Sequence, residues 1–164
     1  MPEYTLSPVG ESDRTGIVDI FNHYVEHTFV AYPEEKVPYT FFDLILGIAR
    51  THPAVTVRDA DGGIAGFGML RPRNPMPAFA RTAEITCFLR PDLTGRGIGS
   101  EVLGYLEAGA RERGIACILA SIFSQNEGSI RFHRRHGFVE CGRFRNVGSK
   151  RGVLFDVVWM QKEL

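Results

Sequence analysis

The sequence predicts one α/β domain over residues 1–164, with a mixed, mostly antiparallel sheet of about seven strands flanked by about four helices. Three observations predict it. Runs of strand pattern alternate with runs of helical period along the chain. Ala60-Asp61-Gly62-Gly63 joins two strand-like runs as a hairpin signal, so strands pair antiparallel there. From Ala83 to Phe123 a strand, an amphipathic helix and a second strand follow one another, which calls for a parallel pairing.

Taken in order, Tyr4 to Val9 reads as a first strand. Glu11, Ser12 and Asp13 open a helix that carries Ile17, Ile20, Phe21, Tyr24 and Val25 at helical spacing. Thr28 to Pro38 reads as a loop. A second helix runs near Thr40 to Arg50 on Phe41, Leu44, Ile45 and Ile48. Ala54 to Asp59 and Ile64 to Leu70 form the hairpin. Pro72 to Ala80, with Pro72, Pro75 and Pro77, reads as one long loop inside the domain. Ala83 to Leu89 is a strand. Gly97 to Arg113 is a helix with Ile98, Val102, Leu103, Leu106 and Ala110 on one face, ended by Gly114. Ile115 to Phe123 is almost continuously apolar, as expected of a strand buried on both faces. Asn126 to His136 is a short helix stopped by Gly137. Phe138 to Phe144 and Val153 to Gln161 are the last strands.

Composition narrows the function. Nineteen Lys and Arg balance 19 Asp and Glu, so the net charge is +0 and nothing provides the basic excess that nucleic acid demands. A hydrophobic share of 44% in 164 residues supports a full core without disulfides or metal. No apolar run is long enough to span a membrane. The opening Met1-Pro2-Glu3-Tyr4-Thr5 shows no secretory signal, and a cytoplasmic location is expected. Cys87, Cys117 and Cys141 are widely spaced, with no C-x-x-C pair, so they read as reduced core residues and no metal site is expected.

Chemistry concentrates in Leu89-Arg90-Pro91-Asp92-Leu93-Thr94-Gly95-Arg96-Gly97-Ile98-Gly99-Ser100, which leaves a strand and enters a helix. Alternating glycines let a ligand approach the backbone. The first-turn N–H groups and the helix dipole suit a phosphate, and Arg96 adds charge. A Walker loop fails, because Gly99-Ser100-Glu101 stands where Gly-Lys-Ser/Thr is needed. A dinucleotide fingerprint is weak, because Val102 occupies the third glycine's place. A glycine-rich turn without any ligand is the plain alternative.

This segment resembles the pyrophosphate-binding signature of the GCN5-related N-acetyltransferases, the GNAT superfamily, with Gly97 and Gly99 at the small positions and Thr94 where Gln or Arg is usual. Asn126-Glu127-Gly128-Ser129-Ile130-Arg131-Phe132-His133 with Gly137-Phe138 resembles the family's second motif. Within the superfamily the chain is most similar to the phosphinothricin acetyltransferase group. Ile20-Phe21-Asn22-His23-Tyr24-Val25, Thr82-Ala83-Glu84, Val147-Gly148-Ser149-Lys150 and Asp156-Val157-Val158-Trp159-Met160-Gln161 carry that likeness.

The resemblance implies a GNAT fold and direct acetyl transfer from acetyl-CoA to an amine. Gly95, Arg96, Gly97, Ile98, Gly99 and Ser100 are the expected pyrophosphate cradle. Cys87, Phe88 and Leu89 would pair with the acetyl and pantetheine portion where the central strand splays from its neighbour, a backbone N–H of Phe88 or Leu89 serving the oxyanion. Asn126 and Ser129 would contact the cofactor arm, although Asn126 also reads as an ordinary helix N-cap. Glu84 is the expected general base, with a surface carboxylate as the plain alternative. His133 is the expected acid for the departing thiolate, with simple packing beside the cofactor as the alternative.

An amino-acid acceptor needs a partner for its carboxylate. Arg71, Arg73 and Arg81 flank the proline-rich loop and Lys150 lies near the end; Arg73, Arg81 and Lys150 are the expected substrate contacts, with Phe29 and Tyr32 as walls. The proline-rich loop is longer than in the phosphinothricin group, and Leu154 replaces a common Trp, so the substrate side departs from the pattern. Phosphinothricin, methionine sulfoximine, methionine sulfone or a related amino acid is the expected acceptor. Another primary amine, a protein N-terminus, or a CoA-binding module without catalysis are the alternatives. The resemblance also implies a homodimer.

Overall fold

The computed structural model describes residues 3–164; Met1 and Pro2, part of the N-terminal reading, lie outside the described residues. One seven-stranded sheet runs in the order β1-β2-β3-β4-β5-β7-β6. Its strands are β1 (Tyr4–Pro8), β2 (Ala54–Asp59), β3 (Ile64–Pro72), β4 (Thr82–Leu89), β5 (Cys117–Phe123), β6 (Val139–Lys150) and β7 (Val153–Glu163). The helices are α1 (Arg14–His27), α2 (Phe42–Ala49), α3 (Ile98–Glu112) and α4 (Glu127–Arg135). The fold matches the expected α/β class and its strand order along the chain.

The apolar stripe of α3 buries Ile98, Val102, Leu103, Leu106 and Ala110 against one face of the sheet, on Val55, Val57, Ile118 and Met160. The other face meets α1 and α2 through Ile17, Val18, Phe42 and Ile45 on Phe67 and Met69. Buried Asp13 locks the entry to α1: its carboxylate accepts from the Gly10 N–H at 2.9 Å and the Thr56 hydroxyl at 2.7 Å, and pairs with Arg58.

Every strand pair is antiparallel except β4–β5. That parallel ladder covers only Thr82 to Glu84 against Cys117 to Leu119, while β3 stays paired with β4 as far as Leu89 and β7 with β5 as far as Phe123. The sheet is therefore forked beyond Glu84, and the fork positions the site.

Three expectations are corrected. β5 is not buried on both faces: Ile118, Ala120 and Ile122 are buried while the alternate positions, on the other face, are only half-buried. β6 does not stop at Phe144 but continues to Lys150 as a long exposed edge strand, which lacks the apolar alternation that marks a half-buried strand. The cysteines are not core residues: Cys87 and Cys141 are exposed and Cys117 is half-buried, all as free thiols. The loop between β3 and β4 also carries a short 3-10 turn, Pro77–Phe79.

Candidate active site

The fork leaves backbone groups of β4 facing a gap. Strand alternation decides which ones. The Arg90 N–H donates to Ala65 of β3 at 2.8 Å, whereas the Arg81 carbonyl accepts from Cys117 of β5 at 3.1 Å. Even-numbered residues of β4 thus turn their peptide groups toward β3, and Ile85, Cys87 and Leu89 turn theirs toward β5. Beyond Glu84 no β5 residue pairs with them. The Leu89 carbonyl on that side accepts a hydrogen bond from the Tyr24 hydroxyl at 2.5 Å.

The gap opens into a cleft of about 1400 Å³. At one end Gly95, Gly97, Gly99 and Ser100 line it. Gly97 caps α3 with φ 84° and Gly95 has φ 76°, a left-handed backbone that L side chains resist. The N–H groups of Ile98 and Gly99 lie in the first turn, where the helix offers no carbonyl to them. His136 bridges the two helices here. One ring nitrogen lies 2.8 Å from the Phe132 carbonyl and the other 2.9 Å from the Ser100 hydroxyl. Phe132 comes so close to Gly99 that an added Cβ would stand 3.3 Å from its ring.

Asn126, Ser129 and His133 line the adjoining wall. Asn126 is the N-cap of α4, its side-chain oxygen accepting from the Ser129 N–H at 3.3 Å. His133 is buried, with Nδ1 2.7 Å from the Ser129 carbonyl. A carbonyl only accepts, so Nδ1 carries the proton. Burial lowers the ring's pKa, the Ser129 bond opposes that, and His136 lowers it further. The neutral ring then presents Nε2 as an acceptor.

At the fork's inner end stands Glu84, 4% exposed. Its carboxylate meets Arg71 at 2.5 Å and Arg73 at 4.0 Å, and Arg71 also reaches the Thr86 hydroxyl at 3.3 Å. Arg71, Glu84 and Tyr32 line the cleft together. Burial raises the Tyr32 pKa, with Ser121, Glu84 and Arg71 as the groups around its hydroxyl.

The expected residues therefore divide. Cys87, Phe88, Leu89, Gly95, Gly97, Gly99, Ser100, Asn126, Ser129, His133, Glu84 and Tyr32 share one cleft. Arg96 faces outward to Glu3 at 3.5 Å, and Ile98 is packed in the core. Phe29 stands behind the wall, stacked on Phe123 at 5.7 Å. Arg73 covers Trp159, 5.0 Å from its ring centre. Arg81 is exposed outside the cleft lining. Lys150 is fully buried with its ammonium on three carbonyls, which leaves it no free donor for a substrate. Sequence reasoning underrated Arg71, which was only one of four candidate cations, and missed His136 and Tyr24. An i,i+4 ladder of Phe132 and His136 beside a glycine-rich turn was the available signal for His136; nothing local marks Tyr24.

Among the described residues no cluster of three or more metal-ligating side chains occurs, and no helix is long and apolar enough to cross a membrane.

Residues 17–138 match the model of the acetyltransferase (GNAT) family. The chain is 32% identical to a phosphinothricin N-acetyltransferase of Streptomyces coelicolor, over 99% of this chain and 97% of that protein. It is 31% identical to an L-methionine sulfoximine/L-methionine sulfone acetyltransferase of Pseudomonas paraeruginosa, over 98% and 94% of the two chains. A GNAT superfamily phosphinothricin acetyltransferase from Sinorhizobium meliloti, solved in complex with AcCoA, superposes with a TM-score of 0.93 at 26% identity, covering 99% of this chain and 89% of that one. By the family match, these relatives and the forked central sheet, this chain belongs to the GNAT acetyltransferase family and is an acetyl-CoA-dependent N-acyltransferase.

Proposed function

We propose that this chain transfers the acetyl group of acetyl-CoA to the amino group of a small amino-acid-like acceptor, with phosphinothricin, methionine sulfoximine and methionine sulfone as first candidates. The observation that carries the reading is the Arg71–Glu84 pair at the inner end of the cleft, near the start of β4, whereas the glycine cradle follows its end. A planar guanidinium matches a carboxylate in two hydrogen bonds, and the carboxylate beside it matches an ammonium. One α-amino acid offers both groups at that spacing.

The residues present fit acetyl-CoA. The backbone from Gly95 to Ser100 would hold the pyrophosphate, since the left-handed glycines carry no side chain in its way and the helix offers no carbonyl to the Ile98 and Gly99 N–H groups. Asn126 and Ser129 would contact the amide arm, and Cys87 to Leu89 would pair with the acetyl end. The bound cofactor supplies an activated acyl group. Of the two oxyanion donors expected, the alternation of β4 favours the Leu89 N–H over that of Phe88, whose N–H turns to β3. A preformed donor there meets charge that develops on the carbonyl oxygen without reorganising.

Glu84 would take the proton from the acceptor's ammonium, directly or through one water, before nitrogen can attack. With its Nδ1 proton held by Ser129, His133 fits an acceptor beside the thiol better than a proton donor. We further propose a cytoplasmic homodimer of one-domain subunits. Val139, Phe144, Val147, Val153 and Leu154 expose apolar surface along the β6–β7 hairpin, which supports an interface there.

A thiol-release assay tests the function. Acetyl-CoA is offered with free amino acids, the three candidates, simple amines and short peptides. Turnover that requires both the amine and the carboxylate supports the reading. Turnover of peptides or carboxylate-free amines alone would replace it.

A further inference from the structure

Lys150 is completely buried, yet among the described residues no carboxylate lies within 4.0 Å of its ammonium. Its three ammonium protons meet three backbone carbonyls: Val25 at 2.6 Å, Thr28 at 2.8 Å and Ala31 at 2.7 Å. Every donor is used. Two of these carbonyls lie at the C-terminal end of α1, where the helix dipole is negative, so the buried charge is met directly by dipoles, with the Glu34 carboxylate adding attraction from further off. The next residue strengthens the same attachment. Arg151 donates from its side chain to Val25 at 3.1 Å and from its backbone to Glu34 at 3.0 Å. It does so from a tight turn, with φ 52° at Arg151 and 75° at Gly152.

The β6–β7 hairpin thus grips the chain between α1 and α2 at two points. Lys150 and Arg151 hold its tip. Phe155 of β7 holds its centre by stacking on Tyr32 at 5.5 Å, above Gly148, where even a Cβ would collide with the Phe155 ring at 2.1 Å. Between the two points lie Ala31 and Tyr32, and Tyr32 lines the cleft facing Ser121 and the Arg71–Glu84 pair.

We propose that Lys150 is a positioning residue for the acceptor: it clamps the end of α1 and the following loop so that Tyr32 forms a fixed wall of the acceptor site. The inference rests on the reading that the Arg71–Glu84 end of the cleft takes the acceptor. The glycine cradle is built from the turn after β4 and the first residues of α3, with α4 beside it and without this loop, so the clamp acts on one limb of the cleft only. Removing the ammonium strands the Thr28 and Ala31 carbonyls and leaves Val25 with Arg151 alone, a cost large enough to loosen the segment.

The test uses the full chain and K150M, K150Q and K150R. Hydrogen exchange is read without substrate, and steady-state kinetics with separate titration of acetyl-CoA follow. K150M is expected to speed exchange at least tenfold within residues 28–38 and raise the acceptor KM about tenfold or more. The acetyl-CoA Kd should stay within about twofold. K150R, which keeps charge and donors, should recover most of the acceptor KM. If K150M is not recovered folded, K150Q is read in its place. Unchanged exchange in residues 28–38 would overturn the clamp. So would equal losses in acceptor KM and acetyl-CoA affinity, or no recovery in K150R. Wild-type protein that acetylates no amino acid defeats the functional reading instead, and the exchange data still decide the clamp by themselves.

Discussion

The Arg71 guanidinium lies 2.5 Å from the Glu84 carboxylate, across neighbouring strands at directly opposed positions of the β3–β4 ladder. Register fixes this pair: a slip by one residue would turn one partner to the opposite face. In the proposed reaction the two groups have separable duties. E84Q keeps the shape but removes the proton acceptor, so kcat is expected to fall about 10²- to 10³-fold. R71K keeps the charge but loses the planar fork, so the acceptor KM is expected to rise about tenfold with a smaller change in kcat. Steady-state kinetics with the acceptor varied at saturating acetyl-CoA separates the two. Near-normal kcat in E84Q across pH would remove Glu84 from the chemistry.

Gly97 makes the second prediction. Beyond its chain neighbours, no atom of the described residues lies within 4 Å of a Cβ built there, so G97A meets no clash with them. The backbone remains at φ 84°, which costs an L-residue about 1 kcal/mol. The added methyl also narrows the approach to the cradle. G97A is expected to melt a few degrees lower while acetyl-CoA binding weakens about tenfold or more, measured by calorimetry. A loss of stability with unchanged binding would show that the turn serves the fold alone.

Those two sites differ in how visible they were in the sequence. Alternating glycines before an amphipathic helix announce Gly97, because left-handed geometry restricts the residue type. The hairpin pairings and the parallel pairing of β4 with β5 were also legible from short turns and a helical connection, whereas the place of β7 between β5 and β6 was not. Arg71 was not singled out, because its meaning comes from the register of a strand that lies 13 residues away from Glu84 along the chain. Lys150 was misjudged as a substrate contact for a similar reason. A lysine usually reaches solvent, and its burial depends on carbonyls more than a hundred residues earlier. The strength of β6 was hidden because an exposed edge strand has no apolar period to read.

His133 gives a pH-dependent prediction. Burial holds its folded pKa below the ordinary value, so the folded protein binds fewer protons than the unfolded chain. Its contribution to stability is complete above pH ~6.5 and is lost as pH falls from there through the lowered folded pKa. Wild-type protein should therefore lose more stability between pH 7 and pH 5 than H133N, in which no ring must be protonated. Parallel urea titrations at several pH values measure the difference. Identical pH slopes in the two proteins would show that the buried ring is not a titrating destabiliser.

The exposed hairpin bears on assembly. Phe144 and Leu154 are 55% and 60% exposed on paired strands at the sheet's edge. Isolated apolar residues are common on surfaces, but several along one hairpin mark a contact. Light scattering is expected to give twice the 18.3 kDa of one chain, and F144D to shift the mass toward one chain. A wild-type mass of 18.3 kDa at micromolar concentration would assign this surface no partner copy.

Tyr24 supplies the last prediction. Its hydroxyl donates to the Leu89 carbonyl at 2.5 Å, and burial raises its pKa, so the donor proton is retained at neutral pH. The Leu89 N–H and carbonyl lie on the same side of β4, facing the fork. Tyr24 therefore fixes the orientation of the residue whose N–H is the proposed oxyanion donor. Y24F keeps the ring, which packs at 5.2 Å from Phe88, and removes only the hydrogen bond. The stability loss should be about 1 kcal/mol. A donor displaced by a few tenths of an ångström loses part of its effect on developing charge, so kcat should fall about tenfold while both KM values change little. A fall in acetyl-CoA affinity without a change in kcat would mean that Tyr24 only shapes the cofactor's binding limb. A tenfold kcat loss at unchanged KM ties the end of α1 to the chemistry at the fork.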